Sequence, residues 1–307
     1  MNIVCAECGK DFESRKGLHL HLKTHFASMG EYYAKHFPKF DKFSHEPIQF
    51  KKYEQYEQSD FNNYANYLAW LKSAPNQEAR SYSLRQAENS FREKDIKTAP
   101  PHLYYKIAEM ADCFILADIW GSYGAFLKEL GIPTKLNKRI PMDFWERDCS
   151  DIEIFIDTRE QLPLSFKNSL SNKLDFGDYA ASGELYSKTF VDRKSASDFK
   201  GTFGAGLDRF KREMDRCVHF GSYMFVVVES TTQKIEEENN GKFKSNMSFI
   251  WHNVRDVIRS YPDNIQFIFS HSRKGSEKLI PKILFYGQSL WNVDLQYFLE
   301  RRTNGLD

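Results

Sequence analysis

Cysteine, net charge and long apolar runs are all scarce in this sequence. Only five of the 307 residues are cysteine, which argues against a disulfide framework and predicts an intracellular, reducing compartment. The 43 Lys and Arg nearly balance the 42 Asp and Glu, so only local patches of positive charge can bind nucleic acid. No apolar run approaches the roughly 18 residues of a membrane-spanning helix, and the first residues lack a signal-peptide layout. We therefore expect no membrane partner and no secretion.

Aromatic residues are abundant, at 15% of the chain, and the pattern of the sequence changes along its length. The sequence predicts a multidomain protein in which a mainly helical region precedes a region that mixes helices and strands. The predicted segments are a Cys- and His-rich unit at 1–27, a helical segment at 28–147, an α/β domain at 148–290 and a C-terminal tail at 291–307.

The first segment carries four metal-ligand residues at a diagnostic spacing. Two residues separate Cys5 from Cys8, twelve lead on to His21, and three separate His21 from His25. Two thiolates and two imidazoles at this spacing suit tetrahedral zinc, which a unit of this size needs in order to fold. With an apolar residue at Phe12, the segment resembles the TFIIIA-type zinc finger. The resemblance implies a small ββα unit with a structural Zn²⁺.

Only some residues of the finger suit contact with DNA. In that family the base-contacting positions fall on Ser14, Gly17 and Leu20, which offer almost no hydrogen bonding to bases. Basic side chains nearby can still contact phosphates without choosing a sequence. These candidate DNA-binding residues are Lys10, Arg15, Lys16 and Lys23. We interpret the finger as a module that positions DNA; protein binding and a purely structural role are the alternatives.

Residues 50–70 place aromatic side chains at mostly three-residue spacing. This pattern is typical of amphipathic helices that bury an aromatic stripe. Stacking of the same aromatic residues on unpaired bases is the alternative. The segment 28–147 is therefore predicted to be a helical domain that binds DNA or links its neighbours.

Four apolar, β-branched runs predict the strands of the α/β domain. They lie at 152–157, 188–194, 223–229 and 265–269. A turn at 182–184 predicts a hairpin whose return strand is the run at 188–194. Helix-like stretches between the runs predict the remaining layers.

Acidic residues cluster at the ends of these predicted strands. Asp157 ends the first run and Glu160 follows it closely, Asp178 lies at the edge of the hairpin on its first strand, and Asp192 and Lys194 lie on the return strand. Residues two apart on a strand point to the same face, so Asp192 and Lys194 are expected to face Asp178 across the hairpin. Carboxylates grouped in this way form an oxygen cage for Mg²⁺, and a lysine beside them can stabilise a phosphate.

These motifs resemble the nuclease domain of the XPF-type structure-specific endonucleases. That family's V-D-x-R-E, G-D-Y and E-R-K-x-x-x-D patterns correspond to residues 156–160, 177–179 and 192–198, with Asp192 in place of the family's Glu. The resemblance spans residues 152–287 and implies a restriction-endonuclease-like α/β core that dimerises. Mg²⁺ or Mn²⁺ would be held by Asp157, Asp178 and Asp192. The implied catalytic residues are Asp157, Glu160, Asp178, Asp192, Arg193 and Lys194.

One further basic residue, Arg209, lies on a predicted helix after the motif and is a candidate for contact with DNA. Taken together, the patterns predict a metal-dependent DNA endonuclease acting on duplex or branched DNA, with a possible homodimer. A Holliday-junction resolvase or homing-like endonuclease is one alternative, and a catalytically inactive DNA-binding regulator or scaffold is another. The pairing of finger and nuclease favours a phage or mobile element acting in the host cytoplasm; a eukaryotic protein would act in the nucleus.

Overall fold

The computed structural model describes residues 3–136, 138–240 and 245–303. The chain forms two compact units, Met1–Ser81 and Tyr82–Asp307. The predicted segment limits after residues 27 and 147 each lie inside one of these units. Across the described part of the chain, no helix is long and apolar enough to cross a membrane.

The first unit begins with two short antiparallel strands and a helix. The strands are β1 (Ile3–Val4) and β2 (Asp11–Phe12), and the helix is α1 (Arg15–Leu22). The hydroxyl of Ser14 accepts a hydrogen bond from the backbone N–H of Gly17, which satisfies a donor at the start of α1. The helices that follow are α2 (Met29–His36), α3 (Tyr53–Gln58) and α4 (Tyr64–Ser73).

Helix α1 shares one core with the two helices that follow it. Leu18 and Leu22 of α1 pack with Tyr32 and Tyr33 of α2 and with Tyr56 of α3. A unit of about 25 residues cannot bury a sufficient core by itself. The aromatic residues of α2 and α3 therefore supply apolar surface that residues 3–27 lack, and part of the predicted aromatic stripe is core.

Four more helices precede the strands of the second unit in the chain. They are α5 (Asn76–Glu93), α6 (His102–Ile107), α7 (Cys113–Trp120) and α8 (Tyr123–Leu130). Helices α7 and α8 both end at a glycine in the left-handed region, Gly121 with φ 81° and Gly131 with φ 70°. Helix α6 packs its buried Leu103, Tyr104 and Ile107 into the core beside the sheet.

The second unit is built on a six-stranded mixed sheet with strand order β4-β3-β5-β6-β7-β8. The strands are β3 (Glu153–Asp157), β4 (Asn168–Asn172), β5 (Tyr179–Ala181), β6 (Thr189–Lys194), β7 (Tyr223–Val228) and β8 (Ile265–Phe269). Strand β5 runs antiparallel to its neighbours β3 and β6, and the other neighbouring pairs are parallel. All four strands predicted from apolar runs are confirmed to within one residue at each end.

The predicted hairpin is present, but its connection is longer than the predicted turn at 182–184. Strands β5 and β6 pair antiparallel, with Tyr179 opposite Val191. The chain reverses over residues 182–188 through a 3-10 turn at Gly183–Leu185. Lys188 completes the reversal with φ 57° just before β6 begins.

Helices cover both faces of the sheet. They are α9 (Ala196–Phe203), α10 (Leu207–His219), α11 (Thr232–Glu237), α12 (Met247–Ser260), α13 (Arg273–Tyr286) and α14 (Leu295–Thr303). Helices α9, α10 and α12 pack against the face that carries Val226, which we call the α10 face. Helices α13 and α14 pack against the face that carries Val227, which we call the α13 face. The predicted tail contains α14, and residues 304–307 lie outside the described residues.

Candidate functional site

The ends of three strands meet where the acidic motifs lie. Strands β3 and β6 both run antiparallel to β5, so the carboxyl ends of β3 and β6 lie beside the amino end of β5. Two backbone hydrogen bonds extend the ladder there: Asp157 N–H donates to Asp178 O, and Asp178 N–H donates to Val191 O, each at 2.8 Å. The topology thus brings together residues from three separate motifs.

Side chains alternate between the two faces along each strand, and this alternation divides the residues of the acidic motifs between the two faces of the sheet. Phe155, Ala180 and Phe190 pack on the α10 face. Residues two positions away along the same strands share that face, and Arg193, between two of them, projects to the α13 face. The residues sorted to the α10 face are Asp157, Asp178, Asp192 and Lys194.

Asp178, Asp192 and Lys194 form one group on the α10 face. Lys194 Nζ donates to Asp192 Oδ1 at 2.5 Å, and the backbone N–H of Arg193 donates to Asp178 Oδ2 at 2.7 Å. Burial, and then the negative charge of Asp192, raise the pKa of Asp178 to about 8, although Lys194 opposes the shift. Burial lowers the pKa of Lys194, but the carboxylates of Asp192 and Asp178 outweigh it and leave that pKa above the usual value.

Gly177 allows Asp178 to approach β6 closely. Its φ is 59°, and a Cβ at this position would lie 2.8 Å from the carbonyl oxygen of Val191. Only glycine fits such a position without moving the backbone. The N–H of Gly177 donates to Glu213 Oε1 at 3.1 Å, so a carboxylate from helix α10 also borders the group.

Asp157 shares the α10 face, but its carboxylate is fully occupied by neighbours. Oδ1 accepts hydrogen bonds from the backbone N–H and Nε of Arg159 at 2.7 and 2.6 Å. Oδ2 accepts from Arg159 Nη2 at 3.0 Å and from the N–H of Leu174 at 2.8 Å. Burial raises the pKa of Asp157, but these bonds outweigh it and hold the pKa below its usual value. Asp157 thus ties two chain segments together and does not form a three-carboxylate group with Asp178 and Asp192.

The α13 face carries a second group of charged side chains. Arg193 lies between two carboxylates, with Nη2 3.1 Å from Glu160 Oε1 and Nη1 3.2 Å from Glu229 Oε2. Burial lowers the pKa of Arg193, but Glu160 and Glu229 raise it by more, so the guanidinium stays charged. Two buried atoms, Arg193 Nε and Glu229 Oε1, have no hydrogen-bond partner among the described residues. The side chain of Arg193 is thus enclosed in the protein, while its peptide N–H orients Asp178.

Two residues of these groups lie outside the predicted set. Glu213 lies beside the buried Met214 on α10, and Glu229 follows the buried strand β7, where its N–H donates to Lys194 O at 2.9 Å. The sequence held two signals for these residues. Glu213 is a charged residue directly beside an apolar helix stripe, and Glu229 is a charged residue directly after a buried strand. Many surface residues share both patterns, so neither is specific.

The four zinc-ligand candidates of the finger do come together. The ligand atoms of Cys5, Cys8, His21 and His25 all lie within 4.8 Å of one another. Cys8 Sγ lies 3.2 Å from His21 Nε2, which lies 3.1 Å from His25 Nε2. Tetrahedral zinc with its usual bond lengths needs ligand atoms about 3.3–3.8 Å apart. Within the described residues, this is the one group of three or more Cys, His, Asp or Glu close enough to share a metal ion.

The predicted DNA-binding residues differ in how they are held. Lys10, Lys16 and Lys23 are exposed in the finger, and Arg209 is exposed on α10. Arg15 instead stacks its guanidinium 4.1 Å from the ring centre of Tyr53, in the same unit. Arg15 is thus exposed but partly committed to packing, whereas Lys10, Lys16 and Lys23 form no ion pair among the described residues.

Comparisons with known proteins give only a distant likeness. No protein-family model matches the chain, and no curated protein matches it. The chain is similar to two solved structures of XPF from Aeropyrum pernix, one of them in complex with DNA, at 17% and 18% identity and a TM-score of 0.34. The matches cover 45% and 48% of this chain and 65% and 72% of those chains, so this chain spans less than two thirds of the first. A likeness this weak identifies no function for the chain.

Proposed function

We propose that this chain is a divalent-metal-dependent endonuclease that hydrolyses phosphodiester bonds in duplex or branched DNA. The observation that carries the proposal is the group of Asp178, Asp192 and Lys194 at one end of the sheet. Phosphodiester hydrolysis needs anionic ligands for a cation and a positive donor for the phosphate. This group supplies both.

The residues of the group fit a hard divalent cation. Mg²⁺ and Mn²⁺ prefer carboxylate oxygens, and Asp178 and Asp192 are two carboxylates close enough for the charge of one to raise the pKa of the other. Two carboxylates held together in a buried place repel each other unless a proton or a cation lies between them. When bound, Mg²⁺ or Mn²⁺ would supply Lewis-acid activation of water and of the phosphate.

The chain's own groups have distinct tasks in this proposal. Lys194 stays protonated and donates to a non-bridging phosphate oxygen, which stabilises the negative charge that develops there. The peptide N–H of Arg193 holds Asp178 in place, and the side chain of Arg193 anchors that peptide through Glu160 and Glu229. Asp157 positions Arg159, whose side chain is 60% exposed and borders the group.

The first unit is proposed to hold zinc and to assist in engaging DNA. The proposal is supported by ligand atoms of the type that zinc binds, two thiols and two imidazoles, which all lie within 4.8 Å of one another. Exposed Lys16 lies on the same helix as Leu20, which is 68% exposed, and exposed Lys23 is the residue that caps the end of that helix. A homodimer through the second unit remains part of the proposal.

A gel cleavage assay tests the nuclease. Linear duplex, single-stranded, flap and four-way-junction DNA are incubated with Mg²⁺, Mn²⁺ or EDTA, and wild type is compared with Asp178→Ala. We expect cutting that requires the metal and disappears in the variant. Glu184→Gln, an exposed acid in the β5–β6 connection, is the matched control and should cut like wild type. If neither wild type nor variant cuts but both bind DNA, the inactive DNA-binding regulator replaces the nuclease.

Metal content tests the zinc proposal. We expect one equivalent of zinc in wild type and loss of zinc in His25→Asn. His45→Asn serves as control, because His45 is also exposed and has φ 59°, a conformation that asparagine tolerates. Equal zinc in both variants would reject the Cys and His group as the site.

A further inference from the structure

Helix α10 presents different chemistry on its different sides. Phe210, Met214 and Cys217 are buried in the core of the α10 face. Three arginines, each three or four residues from the next, are exposed on the part of the helix surface that is not buried in this core. They are Arg209, Arg212 and Arg216.

The contact of Glu213 identifies the side of α10 that lies next to the candidate site. Its Oε1 accepts a hydrogen bond from Gly177 N–H at 3.1 Å, directly before Asp178. Residues four before and three after a helical position lie on the same side of the helix. Arg209 and Arg216 therefore lie one turn to either side of the point where α10 meets the group of Asp178, Asp192 and Lys194.

Two other charged residues of α10 are occupied by residues of the segment 256–261. Lys211 pairs with Asp256 of α12 at 2.5 Å, and Asp215 accepts from the hydroxyl of Tyr261 at 2.7 Å. In the described chain, none of the three arginines forms an ion pair with a carboxylate, and Arg216 donates only to the carbonyl of Arg212. Their positive charge is therefore available to a ligand beside the candidate active site.

We propose that Arg212 and Arg216, together with Arg209, form a phosphate-binding track that leads one DNA strand to the group of Asp178, Asp192 and Lys194. The proposal deepens the proposed nuclease function and rests on it for the identity of the ligand. Seven residues of helix span about 10 Å. That length corresponds to about three phosphates at about 3.4 Å of rise per strand.

Salt dependence of binding tests the track. The test variant is the double substitution Arg212→Gln and Arg216→Gln. The control is the double substitution Lys274→Gln and Lys278→Gln, which changes two exposed lysines of α13, on the other face of the sheet. Both variants change the net charge by the same amount, so only the location differs. Binding to a fluorescent DNA is measured without divalent metal, between low and moderate salt.

We expect the arginine variant to weaken binding roughly tenfold at low salt and to flatten the plot of log K against log salt. Two lost phosphate contacts reduce the slope by about 1.8 on duplex and about 1.4 on a single strand, so the slope also indicates which form lies on the track. The lysine variant should keep the wild-type slope. Arg212→Lys with Arg216→Lys keeps the charges and should restore the slope, which separates loss of contact from loss of folding.

The outcomes separate the track from the nuclease. If wild type cuts DNA but both glutamine variants have the wild-type slope, the track is rejected and the nuclease stands. If wild type never cuts but only the arginine variant loses slope, the nuclease fails while the track stands as a DNA-binding surface. An equal loss of slope in the arginine and lysine variants also rejects the track, because it reports overall charge.

Discussion

Two charged groups lie back to back at the same end of the sheet, and they differ in how the cation of each group contacts its two carboxylates. On the α10 face, Asp178 and Asp192 share only Lys194. On the α13 face, Arg193 lies between Glu160 and Glu229. In the first group Lys194 contacts only Asp192, so the partly buried Asp178 has no side-chain cation in contact with it among the described residues, which is unfavourable in an empty site and favourable around a bound cation; we call this group uncompensated. In the second group both carboxylates contact the cation, which suits a structural role; we call this group compensated.

The two groups are linked through one strand. Arg193 lies between Asp192 and Lys194 on β6. Its peptide N–H donates to Asp178 on the α10 face, while its side chain pairs with Glu229 on the α13 face. The compensated group therefore holds the backbone that shapes the uncompensated one. If this division is correct, substitutions on the α10 face change activity more than stability, and substitutions on the α13 face do the reverse.

The largest expected effect is on catalysis. Asp178→Asn removes one carboxylate charge but keeps the size of the side chain. We expect cleavage to fall by at least about 10³-fold, more than the loss of a single stabilising donor, while DNA binding stays within about threefold. Initial rates with Mg²⁺ and fluorescence binding measure the two properties. A variant that still cuts at a tenth of the wild-type rate would contradict the assignment.

A large loss of stability is expected on the opposite face. Glu229→Gln removes one of the two carboxylates beside the buried Arg193 and leaves Glu160 as the remaining one, so the unfolding free energy should fall by about 2 kcal/mol, the usual cost of losing a partner of a buried charged group. Urea unfolding measures it. Arg193→Met and the double variant complete a mutant cycle, and the double variant should lose less than the sum of the two. A loss below about 1 kcal/mol for Glu229→Gln would reject the structural role.

The pH dependence of stability distinguishes the groups further. Folding raises the pKa of Asp178 from 3.8 to about 8, so between these pH values the folded protein holds a proton that the unfolded chain has released. The unfolding free energy of the metal-free protein should therefore fall as pH rises from about 4 to about 8. Urea unfolding in EDTA at several pH values tests this. In Asp178→Asn the unfolding free energy should fall much less over this pH range. An unchanged dependence on pH would show that another group titrates.

The smallest effect is expected at the rim of the compensated group. Arg273 Nη1 lies 3.6 Å from Glu229 Oε1, and its side chain is 43% exposed. Solvent screens such a pair, so Arg273→Gln should cost less than about 1 kcal/mol of unfolding free energy and leave cleavage unchanged. The same urea and cleavage assays measure both. A cost near that of Glu229→Gln would mean that Arg273, rather than Arg193, compensates Glu229.

Local patterns in the sequence predicted several features correctly. The four apolar runs became β3, β6, β7 and β8 because such runs favour buried strands wherever they lie. The spacing of Cys5, Cys8, His21 and His25 brings their ligand atoms together because a short turn and one helix face set the distances. In both cases the information lies within a few neighbouring residues.

Long-range packing decided the partners of the acidic residues. Asp157, Glu160, Asp178 and Asp192 all carry a carboxylate, and the sequence alone does not show which of them bind a metal ion and which pair with other side chains. In the structure Asp157 is bound by Arg159 and Leu174, and Glu160 pairs with Arg193 on the other face. Those partners depend on strand register and on the path of the loops, which short motifs do not encode.

The sequence by itself determined the strands, the metal-ligand spacing of the finger and the types of residue available for chemistry. Only the tertiary structure decided that Arg159 and Leu174 occupy the carboxylate of Asp157, that Glu160 pairs with Arg193, and that Glu213 and Glu229 border the two groups. The physical reason is that a hydrogen bond or an ion pair acts over a few ångströms. Which charges come that close is settled by the packing of strands and helices that lie far apart in the chain.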